Sequence, residues 1–299
     1  MKLLTYVPGA RRARIAASSL TALVALFSAG LLVALVSGAQ AAATTVPLGT
    51  ANSFVVLAGA GITNTGPTTL NGDIGAFPTT SISGSGTLTI TGANHAGDAV
   101  TQGAKTDLVT AYNTAAGEGP TSPIAADLGG RSLSPGVYNS ASSIGLTGAL
   151  TLNAHGDPNA VFVFQAGSAL TTASGSTVNL VNGARACNVF WQIGSSATLG
   201  TGSVFRGSVL ALTSITATTG ATIEGRLLAR NGAVTLDTNT ITRATCAAVT
   251  ATTATSATTS AKAVAAKKAA AKKAAAAKKA AAATSAAARR TVRTAGFTG

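Results

Sequence analysis

The sequence predicts a mainly β protein, a β-solenoid with one long α-helix packed alongside, and three observations carry this. The first is a repeat. After residue 160 the runs VFVFQAGS from Val161, VFWQIGSS from Val189, VLALTSIT from Val209 and LLARNGAV from Leu227 align at offsets of 28, 20 and 18 residues. Each precedes a small-residue, threonine-bearing run: TTASGSTVNL, TLGTGSVFRG, TATTGATIEG and TLDTNTITR. A period tightening toward 18, with no helix between repeats, fits stacked coils of short strands; a β-sandwich with coincidental similarity is the competing architecture. The second observation is composition. Threonine occurs 46 times and glycine 34 times against 12 aromatics, which suits short strands and tight turns better than a helical bundle. The third is one proline-free segment, 94–116, where Val100, Ala104, Leu108, Ala111 and Ala115 recur at helical steps before Gly117, giving a narrow apolar stripe made of small residues.

Along the chain, Lys2, Arg11, Arg12 and Arg14 precede an apolar run from Ile15 to Val36, and Ala39-Gln40-Ala41 supplies small residues at cleavage-site spacing. This is the pattern of a secretory signal peptide over 1–41, with a retained membrane anchor as the alternative. A solenoid domain is expected over 44–249. Residues 250–299 are alanine, threonine, lysine and arginine with almost no large apolar side chain, so they cannot bury a core and are expected to form a disordered basic tail.

The two repeated columns differ. Val161-Phe162-Val163-Phe164 and Val189-Phe190-Trp191 are continuously apolar, as in strands buried on both faces, so something must cover their outer side, and 94–116 is the candidate. The second column alternates. Taking Val178, Val204, Ile223 and Ile241 as inward places Thr177, Ser203, Thr222 and Thr240 outward. Six residues before each inward position come Thr172, Thr198, Ala217 and Thr235. Alternate residues of a strand lie about 6.7 Å apart and neighbouring coils about 4.8 Å, so these positions form a regular, uncharged grid. Asp237 interrupts it. Cys187 and Cys246 would lie about three coils apart, too far to bridge, unless the chain after Thr242 folds back; both outcomes stay open.

The formal charge of +13 divides into +4 over 1–43, −1 over 44–249 and +10 over 250–299. The part able to fold is therefore nearly neutral, and any polyanion partner must be held by the ends. His95 and His155 lack metal-ligand spacing, and no phosphate-binding or nucleophile-elbow motif is present. Glu224, Asp237 and Asp157 are too few and too scattered to supply the paired carboxylates of a polysaccharide-degrading solenoid. No catalytic residue, metal, cofactor or small-molecule substrate is expected. A threonine array sets methyl groups beside hydroxyls, so it can order water over apolar pits and anchor that water by hydrogen bonds. The plainer reading is that threonine simply favours solvent-facing strand positions.

Residues 46–246 closely resemble the secreted ice-binding domain family. The resemblance rests on LGTANSFVVLAGAGITNTGPTTLNGDIG at 48–75, DLVTAYNTAAG at 107–117, DLGGRSLSPGVY at 127–138, CNVFWQIGSSATLGTGSVFRGSVLALTSI at 187–215 and TGATIEGRLLARNGAVTLDTNTI at 219–241. It implies a discontinuous right-handed β-solenoid of roughly triangular section with one flanking helix. It also implies T-A/G-x-T/N motifs on one face, matched by Thr65 to Thr68, Thr91 to Asn94, Thr216 to Thr219 and Thr219 to Thr222. The function this implies is a secreted, non-enzymatic, monomeric protein whose partner is ice or ordered water. The candidate contacts are Thr172, Thr177, Thr198, Ser203, Ala217, Thr219, Thr222, Thr235 and Thr240. A different function is a surface adhesion module, loosely associated with the cell wall, whose basic residues within 262–293 hold anionic wall polymers or nucleic acid by charge.

Overall fold

A computed structural model describes residues 43–246. The expected signal peptide and basic tail lie outside the described residues. Every strand pairing is parallel, and the strands collect into one sheet of 14 and one of seven. The larger sheet covers two faces because Val204–Ala211 and Thr222–Ala229 run continuously around a corner. The smaller sheet closes the third face with strands of two to four residues, such as Leu170–Thr172 and Ile215–Ala217.

The stacking order is not the chain order. The first coil, Phe54–Ala58, Ile62–Thr65 and Thr68–Asn71, lies against the last. Val56 pairs with Leu227, Ile62 with Val234, and Thr69 with Thr240. The solenoid is discontinuous because the chain leaves after its second coil, passes through the helix, and returns at the far end.

Parallel pairing stacks like on like. In the interior, Phe164 lies on Trp191 with ring centroids 4.0 Å apart, and Tyr138 and Phe205 extend the stack. Leu170, Ile215, Val234 and Ile62 enter from the short-strand face and Val178, Phe205, Ile223 and Ile241 from the third, all essentially without exposure. Such burial stabilises by roughly 1.5–3 kcal/mol per large side chain.

The helix, α1 (Ala99–Gly117), covers the continuously apolar column as expected. Ala104, Leu108, Ala111 and Ala115 meet the outward side chains Leu57, Val163, Phe190, Leu210 and Leu228, and the alanines let the helix axis come close. Its start is five residues later than periodicity suggests. Asn94 is bridged to Ile74, and Asp98 caps the helix by accepting from the Thr101 amide at 2.9 Å, which satisfies a donor the first turn leaves open. Val100, expected in the stripe, is 46% exposed, and Thr101 takes the buried place. Polar groups then fix the helix in register. Lys105 donates to the carbonyls of Ala229 and Arg230 at 2.6 and 2.5 Å, Gln192 to the Tyr112 hydroxyl at 2.7 Å, and Gln165 to the Ala115 carbonyl at 2.8 Å.

Two registers differ from those read off the repeat. Phe162, not Val161, pairs with Val189, and Trp191, not Val189, pairs with Val209, so the steps are 27 and 18 residues before the expected 18 between Val209 and Leu227. In the second column Thr177 pairs with Val204, and Phe205 with Ile223. Val204 therefore points outward and Phe205 is the inward residue. The cysteines do pair: Cys187 and Cys246 form a disulfide with Cα atoms 5.5 Å apart, so the chain after Thr242 folds back.

Candidate functional site

The short-strand face exposes a ladder of one residue type. Thr171 pairs with Thr198, Thr198 with Thr216, Thr216 with Thr235, and Thr235 with Thr63. Gly145 and Ser83 extend the row at either end. All five threonines are exposed or half-buried, and no register shift interrupts the seven strands. Neighbouring rungs are set by the strand spacing of about 4.8 Å. Among the described residues the five hydroxyls make no hydrogen bond to protein, so they are open to solvent while the residues on either side of them point into the core.

The third face carries a second row: Thr177, Val204, Thr222, Thr240, Thr69 and Thr89. Val204 breaks it. Two residues along the same strands, Arg206 and Glu224 are register partners and form an ion pair at 3.2 Å. This face therefore bears charge in the middle of its stack, where the short-strand face carries it at its margins, in Asp237 at a strand end and in Asp127 bridged to Gly145.

The nine candidates separate by parity. Thr198 and Thr235 stand on the short-strand ladder, and Thr177, Thr222 and Thr240 on the third face. Thr172, Ser203 and Ala217 are corrections: each is buried, at 3%, 1% and 0% exposure. Thr172 accepts from the Gly200 amide at 2.9 Å inside the corner, and Ser203 precedes a strand whose outward residue is Val204. Thr219 lies in the turn between faces, where its hydroxyl donates to Asp237. Thr63 and Thr171 escape the sequence reading, and Thr216 enters it only as the first residue of a T-A-x-T motif and not as a candidate contact. Yet each sits centrally in a triplet whose flanking residues are buried, the pattern of a short, half-buried strand. Asp237 pairs with Thr65 at the margin of the face, so it borders the ladder without breaking it.

Groups suited to other chemistry are spent locally. His95 bonds Asp98 through Nδ1 at 2.9 Å, His155 contacts Ser134 at 2.9 Å, and Asp157 accepts from the Asn159 amide at 2.9 Å. Among the described residues no cluster of three His, Cys, Asp or Glu could hold a metal, and no helix is long and apolar enough to cross a membrane.

These features define a class: a discontinuous parallel β-solenoid, braced by one helix, that presents a regular uncharged threonine ladder on an open face. The family described as Ice-binding-like matches residues 56–242, and the chain belongs to that family. An ice-binding protein of Nostoc sp. (strain HG1) is 52% identical over 205 residues, covering 68% of this chain and 76% of that protein. A crystal structure of an ice binding protein from an Antarctic biological consortium superposes with a TM-score of 0.66 at 47% identity, covering 68% of this chain and 92% of that one. The ice-binding protein of the Antarctic ascomycete Antarctomyces psychrotrophicus gives 0.63 at 43% identity over 68% and 100% of the two chains.

Proposed function

We propose that the protein is a non-enzymatic ice-binding protein that adsorbs to ice through the short-strand face and slows ice growth or recrystallisation. The carrying observation is the ladder Thr171, Thr198, Thr216, Thr235 and Thr63, held in register with hydroxyls open to solvent and no charged side chain in the row. Each rung offers a methyl that favours ordered water and a hydroxyl that anchors it. Val204 interrupts the threonine row of the third face, and the Arg206–Glu224 pair lies beside that break, where each charge would hold its own hydration shell in competition with the lattice. The short-strand row is unbroken from Thr171 to Thr63, with Asp237 at its margin. Family membership and the similarity to proteins named for ice binding support the same reading. Action outside the cell is supported by the signal-peptide pattern over 1–41 and by the Cys187–Cys246 disulfide, which persists in an oxidising compartment.

The test is thermal hysteresis and recrystallisation inhibition by the wild type, T198Y, T216Y and T222Y. The wild type inhibits at micromolar concentration, T198Y and T216Y lose most of that activity, and T222Y keeps it, all three variants having wild-type circular dichroism. Unhindered coarsening of ice by the wild type would overturn the function; loss in T222Y with retention in T198Y would overturn the face.

A further inference from the structure

A cavity of about 480 Å³ opens where the two ends of the described chain meet, between the segment from Thr45 to Asn52 and the disulfide corner. Arg226 and Arg243 both line it, and no carboxylate does. Arg226 is 2% exposed. Its guanidinium donates to the Asn52 carbonyl at 3.0 and 2.9 Å, the Asn52 side-chain oxygen at 2.7 Å, the Ala244 carbonyl at 3.0 Å and the Ser208 hydroxyl at 3.3 Å. Every one of these acceptors is neutral. A buried guanidinium ordinarily has an anionic partner, because taking a charge out of water is costly without one. Burial, and next the neighbouring Arg243 charge, push Arg226 down to about 10. Arg243 is half-buried at the rim and has no ion pair among the described residues.

We infer that this cavity is a binding site for a phosphate-class oxyanion, with Arg226 as its fixed charge and Arg243 as the side chain that engages the ligand. Two guanidiniums without a carboxylate leave two positive charges, which a dianion neutralises. The planar fork of Arg243 matches two oxygens of a tetrahedral anion. Free phosphate and a phosphodiester polymer present this same chemistry, and the experiment separates the two sources.

The experiment uses the full chain, with 31P NMR line broadening and Tm followed as inorganic phosphate is titrated at constant ionic strength against chloride. Phosphate raises Tm and broadens its own resonance where chloride does not shift Tm, and R243Q weakens this at least about tenfold, as expected for loss of charge-assisted hydrogen bonds. The basic residues of 250–299 are unchanged in R243Q, so binding there would survive the substitution. Should R243Q lower Tm in chloride alone, R243K, which keeps the charge and loses the fork, must bind more weakly than the wild type. A poly(glycerol phosphate) chain that displaces inorganic phosphate from the wild type but not from R243Q assigns a polymeric source; failure to displace it assigns the free ion. Equal responses to phosphate and chloride, or wild-type phosphate binding by R243Q, would overturn the site.

Discussion

Thr63 and Thr235 are register partners on adjacent parallel strands, although one belongs to the first coil and the other to the last. The ladder therefore crosses the discontinuity of the fold without a gap. A tyrosine at either position would stand well above the row and lift neighbouring threonines away from a flat lattice. T63Y and T235Y are expected to lose ice-growth inhibition to a similar extent, measured as thermal hysteresis at equal concentration. Activity in T63Y equal to the wild type would restrict the working face to the coils from Thr171 to Thr235.

Lys105 makes stability depend on pH in the alkaline range. Two carbonyls favour its ammonium, but burial, with a further contribution from Arg230, outweighs them and pushes its pKa down to about 8. In the unfolded chain a lysine titrates near 10.4. Between these values the unfolded state binds more protons, so unfolding free energy rises with pH. The cost of the charged form is fully present below about pH 8 and is relieved on passing to about 10, on the order of 3 kcal/mol at most. K105M removes this slope. Urea denaturation at pH 7, 9 and 10 measures it, and parallel curves for the two proteins would refute the assignment.

The covered column and its helix are legible in sequence because both are written in strong apolar patterns: Val161 to Phe164 and Val189 to Trp191 need cover on both sides, and Ala104, Leu108, Ala111 and Ala115 supply it. The ladder is legible in kind but not in register, because side chains alternate and a one-residue slip reverses every face. Placing Val204 inward instead of Phe205 is such a slip. The corner compounds it. Outward positions on the two open faces are six residues apart in most coils, Thr171 to Thr177 and Thr216 to Thr222, but five apart from Thr235 to Thr240. Counting back six from inward residues therefore returns the inward Thr172 and Ala217 beside the outward Thr235. Pairing of the first coil with the last has no local signal at all, since it depends on where the chain re-enters the stack.

The disulfide holds the returning end of the chain against the coil that begins at Val189. It closes a loop of 59 residues, for which the chain-entropy model gives about 4 kcal/mol. The double variant C187S/C246S is expected to lose roughly 2–4 kcal/mol of unfolding free energy in chemical denaturation, with the threonine ladder intact and ice activity retained in the cold. A variant as stable as the wild type would show that the corner is held by Arg226 and its bonds to Asn52 and Ala244 alone.

Gly225 is where the last long strand turns from the third face to the covered face. It stacks on Gly207, whose φ of 112° lies outside the range comfortable for other residues. A Cβ on Gly225 would come within 1.8 Å of the Gly207 carbonyl oxygen, and that contact is with backbone, so no side-chain rotation relieves it. The two strands would have to separate at the corner that links the third face to the helix-covered column. G225A is therefore expected to destabilise by about 3 kcal/mol or more, an effect out of proportion to one added methyl. G220A provides the contrast: Gly220 has φ of 71° but open space where an added methyl would stand, so only backbone strain of about 1–2 kcal/mol applies. Thermal denaturation of the two variants side by side tests the stacking directly, and an equal loss in both would place the cost in turn conformation instead of coil-to-coil contact.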